Sequence, residues 1–277
     1  MLHVWNAAGE ELVSVPVEEV SSVRSLKQDV QRCCGFPRFR QAFMHEGTIL
    51  DDGAKLVTPG DAQVVLLSFA PAPQEDMLTF VIAVQNGHVH DVEEILRRPQ
   101  DPNRPRTALV HASTRGHVEV VGLLLEAGAD KDGTDIDRTT GLQHASGRGH
   151  AEVVRLLLQA GADKDLADCQ GRTALMYTSQ RGHAECARLL LKAKADKDLA
   201  DKDGWTALIC ACSQGTEESV ALLLRAGARK DLADHLERTA LIHAASRGLA
   251  DIDRSTGLVH ASVQGYATVV RLLLEVT

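Results

Sequence analysis

Apolar residues between 76 and 277 recur on two scales. Within short stretches they fall three and four apart, as Leu109, Ala112, Val120, Val121, Leu124 and Leu125 do. That is the spacing of one helix face. On the longer scale the whole stretch returns: Thr-x-Leu starts at Thr107, Thr140, Thr173, Thr206 and Thr239, each step 33 residues. Gly-His follows in phase at Gly116-His117, Gly149-His150 and Gly182-His183, and Gly215 and Gly248 continue the series. An aliphatic run and a Gly-Ala turn come next, as in Val153 to Leu158 and Gly161-Ala162. The pattern predicts a first helix capped by Thr107, from about Ala108 to Arg115, broken at Gly116. A second helix is expected from about Val118 to Ala127, ending at Gly128. One such pair cannot bury its own apolar face, so stacked neighbours must supply the core.

The first seventy residues follow a different rhythm. Leu2 and Val4 alternate, Gly9 marks a turn, and Val13, Val15 and Val17 alternate again, which reads as a hairpin. Ser22 is placed to cap a helix whose stripe is Val23, Leu26 and Val30, and Gly35 and Pro37 end it. Phe43 to Glu46 and Ile49-Leu50 flank Gly47 as short strands, and Val64 to Ser68 is a last strand. The expected organisation is a sheet domain over 1–70, a stiff Pro-rich linker over 71–75 and helical repeats over 76–277.

The repeats are uneven. The first unit, 76–103, is divergent: Thr79 to Thr107 is 28 residues, and Pro99, Pro102 and Pro105 fill its loop. Full units follow at 104–136, 137–169, 170–202 and 203–235. The unit at 236–249 is truncated, because Thr239 to Thr256 is 17 residues. The last unit, 250–277, repeats an earlier one: Asp251–Leu274 matches Asp135–Leu158 at 18 of 24 positions. The helix from about Ala240 to Arg247 is therefore expected to lack a second helix. A hinge or packing defect at about Ser246–Ser255 is expected, with the final pair displaced or self-associating and Val269, Leu272 and Leu273 partly covered; the alternative is that the orphan helix merges and the array continues.

The period, the Thr-x-Leu and Gly-His motifs and the helix pairs together resemble the ankyrin-repeat family from about residue 76 to 277. The family's Thr-Pro-Leu-His pattern is altered. Alanine or glycine replaces the proline, and Val110, Gln143, Met176, Ile209, Ile242 and Val259 occupy the histidine position. The hydrogen bond of that histidine is expected to give way to aliphatic packing in most repeats. The glycine of the loop tip survives as Gly171 and Gly204 but is replaced by Pro105, Arg138, Glu237 and Arg254. The order of elements in residues 1–70 resembles the ubiquitin-like β-grasp fold, with local matches at Pro37, Gln41, the Gly47 turn, Leu50, the Asp52-Gly53 turn and Leu56. The fold class that follows is α+β: a β-grasp domain, then an all-α repeat solenoid. A conjugated modifier would need a terminal Gly-Gly, whereas Ser68 to Pro73 has none, so the domain reads as built in. Nothing singles out its lysines, Lys27 and Lys55, for modification.

Composition narrows the function. Thirty basic against 38 acidic residues give a net charge of −8, which disfavours a basic nucleic-acid surface. Aromatic residues are 3%, which fits a core of Leu, Val and Ala. No apolar run reaches the ~18 residues of a membrane span. The start of the chain has no secretory pattern. Cys33, Cys34, Cys169, Cys186, Cys210 and Cys212 form no C-x-x-C pair and read as reduced thiols. The expected location is cytoplasmic, the nucleus remaining open.

Candidate chemistry reduces to binding. His111, His144, His243 and His260 share one repeated column with Tyr177 and Cys210. Neighbouring helices lie about 8–10 Å apart, too far for the ~2.0–2.3 Å bonds of one shared zinc. No metal and no cofactor is expected. His88, His117, His150 and His183 follow turn glycines and read as packing and loop hydrogen bonding. Cys210 and Cys212 point to opposite sides of a helix and read as small apolar residues. No nucleophile–base set or phosphate loop is present, so an enzyme is not expected. The Asp-Lys-Asp runs at 130–132, 163–165 and 196–198, with Arg229-Lys230-Asp231, offer either solvated loops or a charged row that meets a partner.

The reading is a protein-interaction adaptor or scaffold. By resemblance, its concave groove and tips would carry His111, His144, Tyr177, Trp205, Cys210, His243 and His260, with Trp205 either an anchor or packed between hairpins. A second docking face would carry Met44, Val65 and Leu67 and engage ubiquitin-system components. The alternative is a regulatory subunit or targeting factor of a ubiquitin-system or other enzyme.

Overall fold

The computed structural model describes all residues except 1, 7, 17–19, 21, 46–47, 55–59, 68–73, 99–100, 105–106, 253–265 and 275–277. It divides into two compact units, residues 1–108 with 119–130, and residues 109–118 with 131–277.

The first unit begins with β1 (Leu2–Trp5), β2 (Glu11–Val15), α1 (Val23–Cys34), β3 (Gln41–His45), β4 (Thr48–Ile49) and β5 (Gly60–Leu66). The sheet order is β2-β1-β5-β3-β4. β1 pairs antiparallel with β2 but parallel with β5, so α1 serves as part of the crossover. Alternation sends Leu2, Val4, Phe43, Ala62 and Val64 inward onto Val23, Leu26 and Val30 of α1, and all are buried. The expected cap is present: the Ser22 hydroxyl accepts from the Ser25 amide, and Gly35 ends the helix in the left-handed region at φ 74. Gln41 is buried because its amide Nε2 donates to the carbonyls of Lys27 and Phe36. Lys27 lies 2.6 Å from Asp52 and is 9% exposed. Val17, Gly47, Lys55, Leu56 and the stretch 71–73 lie outside the described residues.

The same unit holds α2 (Gln74–Asn86), α3 (Val89–Arg97) and α5 (Val118–Glu126). Arg38, in the 3₁₀ turn Arg38–Arg40, is fully buried among carboxylates from the sheet domain, α3 and α5. Its Nε is 2.8 Å from Glu126, and other guanidinium nitrogens are 3.6 Å from Asp52 and 3.8 Å from Glu93. Its guanidinium carbon sits 4.0 Å above the Phe39 ring. Arg24 reaches Glu93 at 3.2 Å, and Gln28 donates to Glu126 at 3.1 Å. Burial lowers the Arg38 pKa and Glu126 opposes that shift. Gly128, at φ +85, lets the turn after α5 approach Pro37: a Cβ there would lie 2.7 Å from the proline ring. The sheet domain and helices α2, α3 and α5 therefore form one compact unit.

In the second unit α4 (Ala108–Arg115), α6 (Gly141–Arg148), α8 (Ala174–Arg181), α10 (Ala207–Gln214) and α12 (Ala240–Ile252) are first helices. α7 (Ala151–Gln159), α9 (Ala184–Lys192) and α11 (Glu217–Arg225) are second helices. Thr140, Thr173 and Thr206 cap their helices as expected, each hydroxyl accepting the amide three residues on. In the preceding repeat Leu123 is buried in place of the expected Leu125.

The altered histidine position is not uniformly apolar. Buried Gln143 donates from Nε2 to the carbonyls of Leu166 and Arg172, at 2.9 and 2.8 Å, while its Oε1 accepts the Thr140 amide. It restores the polar tie between repeats that aliphatic residues cannot make. Val110, Met176 and Ile209 are buried as expected, but Ile242 is 43% exposed.

The end of the array differs most from expectation. α12 runs to Ile252 instead of stopping near Arg247, and residues 266–274 are helical. His150 packs on Gly116 and hydrogen-bonds the Thr114 carbonyl; His183 does the same with Gly149 and the Gly147 carbonyl. Tyr266 takes that place against Gly215, and its hydroxyl donates to the Ser213 carbonyl at 3.1 Å. Counted from Tyr266, Val269 and Leu273 stand where Val153 and Leu157 stand from His150, and all four are buried. The stretch 266–274 is thus the second helix of the repeat begun by α12. Ser246 to Ile252 is helix, not hinge; of the residues expected to be partly covered, Val269 and Leu273 are buried and Leu272 is half-buried. The remaining expected hinge residues, 253–255, lie outside the described residues.

Candidate functional site

The loops between repeats build the site. Each tip begins with an aspartate whose Oδ1 accepts two backbone amides, two and four residues on. Asp135 holds Asp137 and Thr139, Asp168 holds Gln170 and Arg172, Asp201 holds Asp203 and Trp205, and Asp234 holds Leu236 and Arg238. The tight turn needs a positive φ at its fourth residue. Gly171 and Gly204 supply it at 84° and 82°, and Arg138 and Glu237 adopt it at 58° despite their side chains. The same turn therefore forms without glycine, at a local cost of about 1–2 kcal/mol. Adjacent tips are joined by amide–carbonyl bonds of 3.0, 2.9 and 3.0 Å: Cys169 to Asp137, Lys202 to Gln170 and His235 to Asp203.

The second oxygen of the aspartate orients the repeated column. His144 Nε2 lies 2.8 Å from Asp135, the Tyr177 hydroxyl donates to Asp168 at 2.7 Å, and His243 Nε2 lies 2.9 Å from Asp234. Arg172 and Arg238 add bonds to Asp168 and Asp234. Burial alone would raise the pKa of these carboxyls. The bonds from His144, Tyr177 and Arg238, with the amides, outweigh it and hold Asp135, Asp168 and Asp234 below the usual carboxylate range. Burial and the Asp168 bond push Tyr177 up to about 12, so it stays a neutral donor.

Column members differ in exposure. His111, His144 and Tyr177 are half-buried. Cys210 and His243 are not groove residues as expected: they are 6% and 7% exposed. The short Cys210 thiol ends inside the packed layer, where burial pushes its pKa to about 12. His243 is covered by Trp205, ring centroids 4.7 Å apart, as well as tied to Asp234. Trp205 remains half-buried, so it packs between hairpins and still presents an edge. His260 lies outside the described residues. Cys212 and Cys186 are likewise buried, and burial raises both thiols, to about 12 and 11.

The Asp-Lys-Asp runs turn out to tie neighbouring repeats together. Asp132 Oδ1 accepts the Asp163 amide, Asp165 the Asp196 amide and Asp198 the Arg229 amide, each at 2.8 Å. Their carboxylates are spent on this ladder.

Two features escaped the sequence reading. Arg115, Arg148 and Arg181 end their first helices one turn beyond His111, His144 and Tyr177, on the same face, and Arg247 lies one turn beyond His243 within α12. All four are exposed, with Gln214 in the missing place. The signal was Arg-Gly recurring before the turn. Ile136, 96% exposed, and Leu236, 70% exposed, stand on tips beside the aspartates; isolated within charged loops, they broke no pattern.

On the sheet, Phe43 pairs with Val64 inward, so Met44 and Val65 belong to the opposite face. Ala42 pairs with Val65 and Met44 with Gln63, which makes Met44 and Val65 diagonal neighbours. Leu67 continues that face, and all three are half-buried. A shallow cleft of about 200 Å³ near the sheet edge is lined by Leu67, Ala42, Ile49 and Leu50, with Lys27, Asp52 and Arg97.

Among the described residues no three His, Cys, Asp or Glu side chains come together as a metal site, and no helix is long and apolar enough to cross a membrane. The sequence model of the family described as Ankyrin repeats (3 copies) matches residues 80–168, 123–199, 160–234 and 179–254. A comparison with curated proteins found no match.

Proposed function

The chain belongs to the ankyrin-repeat family, and from that premise we propose that it is a non-enzymatic adaptor with two docking faces. The repeats hold a protein partner along the first-helix face, through His111, His144, Tyr177 and the edge of Trp205. The observation that carries this is the aspartate-pinned column: side chains already fixed by Asp135 and Asp168 lose little further freedom on binding. Cys210 and His243 support that row from beneath.

The second face is the outer side of the sheet. Its strand order, with β1 and β5 parallel at the centre, supports the resemblance to ubiquitin-like domains. On this reading Met44, Val65 and Leu67 meet ubiquitin-system components, Met44 supplying an adaptable apolar contact. The adaptor would then bring what the repeats hold to that machinery, in the cytoplasm or the nucleus. Capture by the full chain, quantified by mass spectrometry, tests the reading with two variants. Tyr177→Ala with His144→Ala is expected to lose one set of proteins and Met44→Asp another. Loss of the same proteins by both, or by neither, contradicts two separate faces.

A further inference from the structure

The row of arginines on the first helices has no counterpart among the charges around it. Arg155 pairs with Glu152, and Arg188 pairs with both Glu185 and Glu218, so these second-helix cations are neutralised in place. The tip arginines Arg172 and Arg238 are likewise spent on Asp168 and Asp234. Among the described residues Arg115, Arg148, Arg181 and Arg247 have no carboxylate partner, although the chain carries a net charge of −8. Arg115, Arg148 and Arg181 each sit in the last turn of a first helix, where they complement the helix dipole. That role needs no common face, yet Arg115, Arg148 and Arg181 follow His111, His144 and Tyr177 at four residues each time.

Resting on the adaptor reading above, we propose that the partner of this face is an acidic, extended polypeptide segment whose carboxylates meet Arg115, Arg148 and Arg181. Helix spacing sets the interval at about 8–10 Å. A polyproline II strand has three residues per turn and rises about 3.1 Å per residue. Acidic side chains at every third position therefore fall on one side, about 9 Å apart, in step with the arginines. A phosphodiester strand carries a charge about every 3.4 Å, far denser than this row. Tyr177 and His144, one turn away and held by Asp168 and Asp135, give such a segment two ring surfaces to lie against. Gln214 interrupts the row, so the continuous register covers α4, α6 and α8.

The test is titration of the full chain at low salt with a fluorescent peptide of six Glu-Pro-Pro triplets. Saturable binding that weakens as salt rises is expected. Arg148→Glu with Arg181→Glu should reduce affinity about tenfold or more. The same charge change on the second helices, Arg155→Glu with Arg188→Glu, should change it less than about twofold. Absence of binding, equal loss in both double variants, or tighter binding of a dT20 strand or of a Lys-Pro-Pro peptide would overturn the proposal. Failure here leaves the adaptor reading separately readable: Tyr177→Ala with His144→Ala would still lose captured protein while the arginine variant kept it.

Discussion

A carboxylate with two oxygens aimed at different tasks explains most of the loop geometry. Oδ1 of each tip aspartate shapes the turn, and Oδ2 fixes the column residue where that residue is a hydrogen-bond donor. Asp234, 5% exposed, serves two amides, Arg238 and His243, whereas Asp201 serves the Asp203 and Trp205 amides and faces Cys210, which makes no such bond. Asp234→Ala should therefore cost about 2–4 kcal/mol and Asp201→Ala distinctly less; urea unfolding of both variants checks the difference. The sign of the pH effect follows from the lowered pKa values of Asp135, Asp168 and Asp234. Their contribution is fully present above the unfolded carboxyl value of about 4 and is lost as pH falls through the lower folded values. Acid unfolding of Asp168→Asn should show a shallower loss of stability below pH ~4 than the parent chain. The threonine caps and turn glycines were legible in the residues because each motif acts locally. The left-handed Arg138 and Glu237 were not, because their strain is offset by the aspartate bonds and by neighbouring tips. Nor was the polar role of Gln143, whose partners Leu166 and Arg172 belong to the next repeat.

At the scale of elements the informative place is the end of the array. Sequence identity assigned Asp251–Leu274 to one new unit and left the helix beginning at Ala240 without a mate. Packing assigns 266–274 to that helix, because Tyr266 fills the notch over Gly215 and reaches the Ser213 carbonyl. Similarity along the chain records where a stretch resembles another, while register is set by which side chain fits which notch. Tyr266→Ala should remove hydrogen-exchange protection from 266–274 while 207–214 keeps its own. Unchanged protection of 266–274 would show that another contact sets the register. The sheet elements were legible by alternation and by the Val23, Leu26 and Val30 stripe, since one buried face imposes a period on the sequence.

The whole first unit depends on charges that no periodicity could reveal. Arg38 and Glu126 lie 88 residues apart, in a 3₁₀ turn and at the end of a repeat helix, and meet at 2.8 Å. Removing Glu126 takes the nearest counter-charge from buried Arg38 and leaves only the longer contacts to Asp52 and Glu93, so Glu126→Ala should destabilise by about 3 kcal/mol, and Arg38→Met added to it should recover part of that loss. Thermal unfolding of the single and double variants decides it. No recovery would mean that Arg38 is held mainly by Asp52, Glu93 and the Phe39 ring. The sheet domain is thereby seated on α3 and α5.

The central claim is that the first-helix face of the repeats is where a protein partner sits. Radical footprinting of the full chain, free and bound to its captured partner, tests it most directly. The account predicts reduced modification of His111, His144, Tyr177 and Trp205 on binding, with Leu274, 60% exposed at the far end of the last second helix, unchanged. Unchanged modification of those four residues, with protection confined to the second helices, would contradict it.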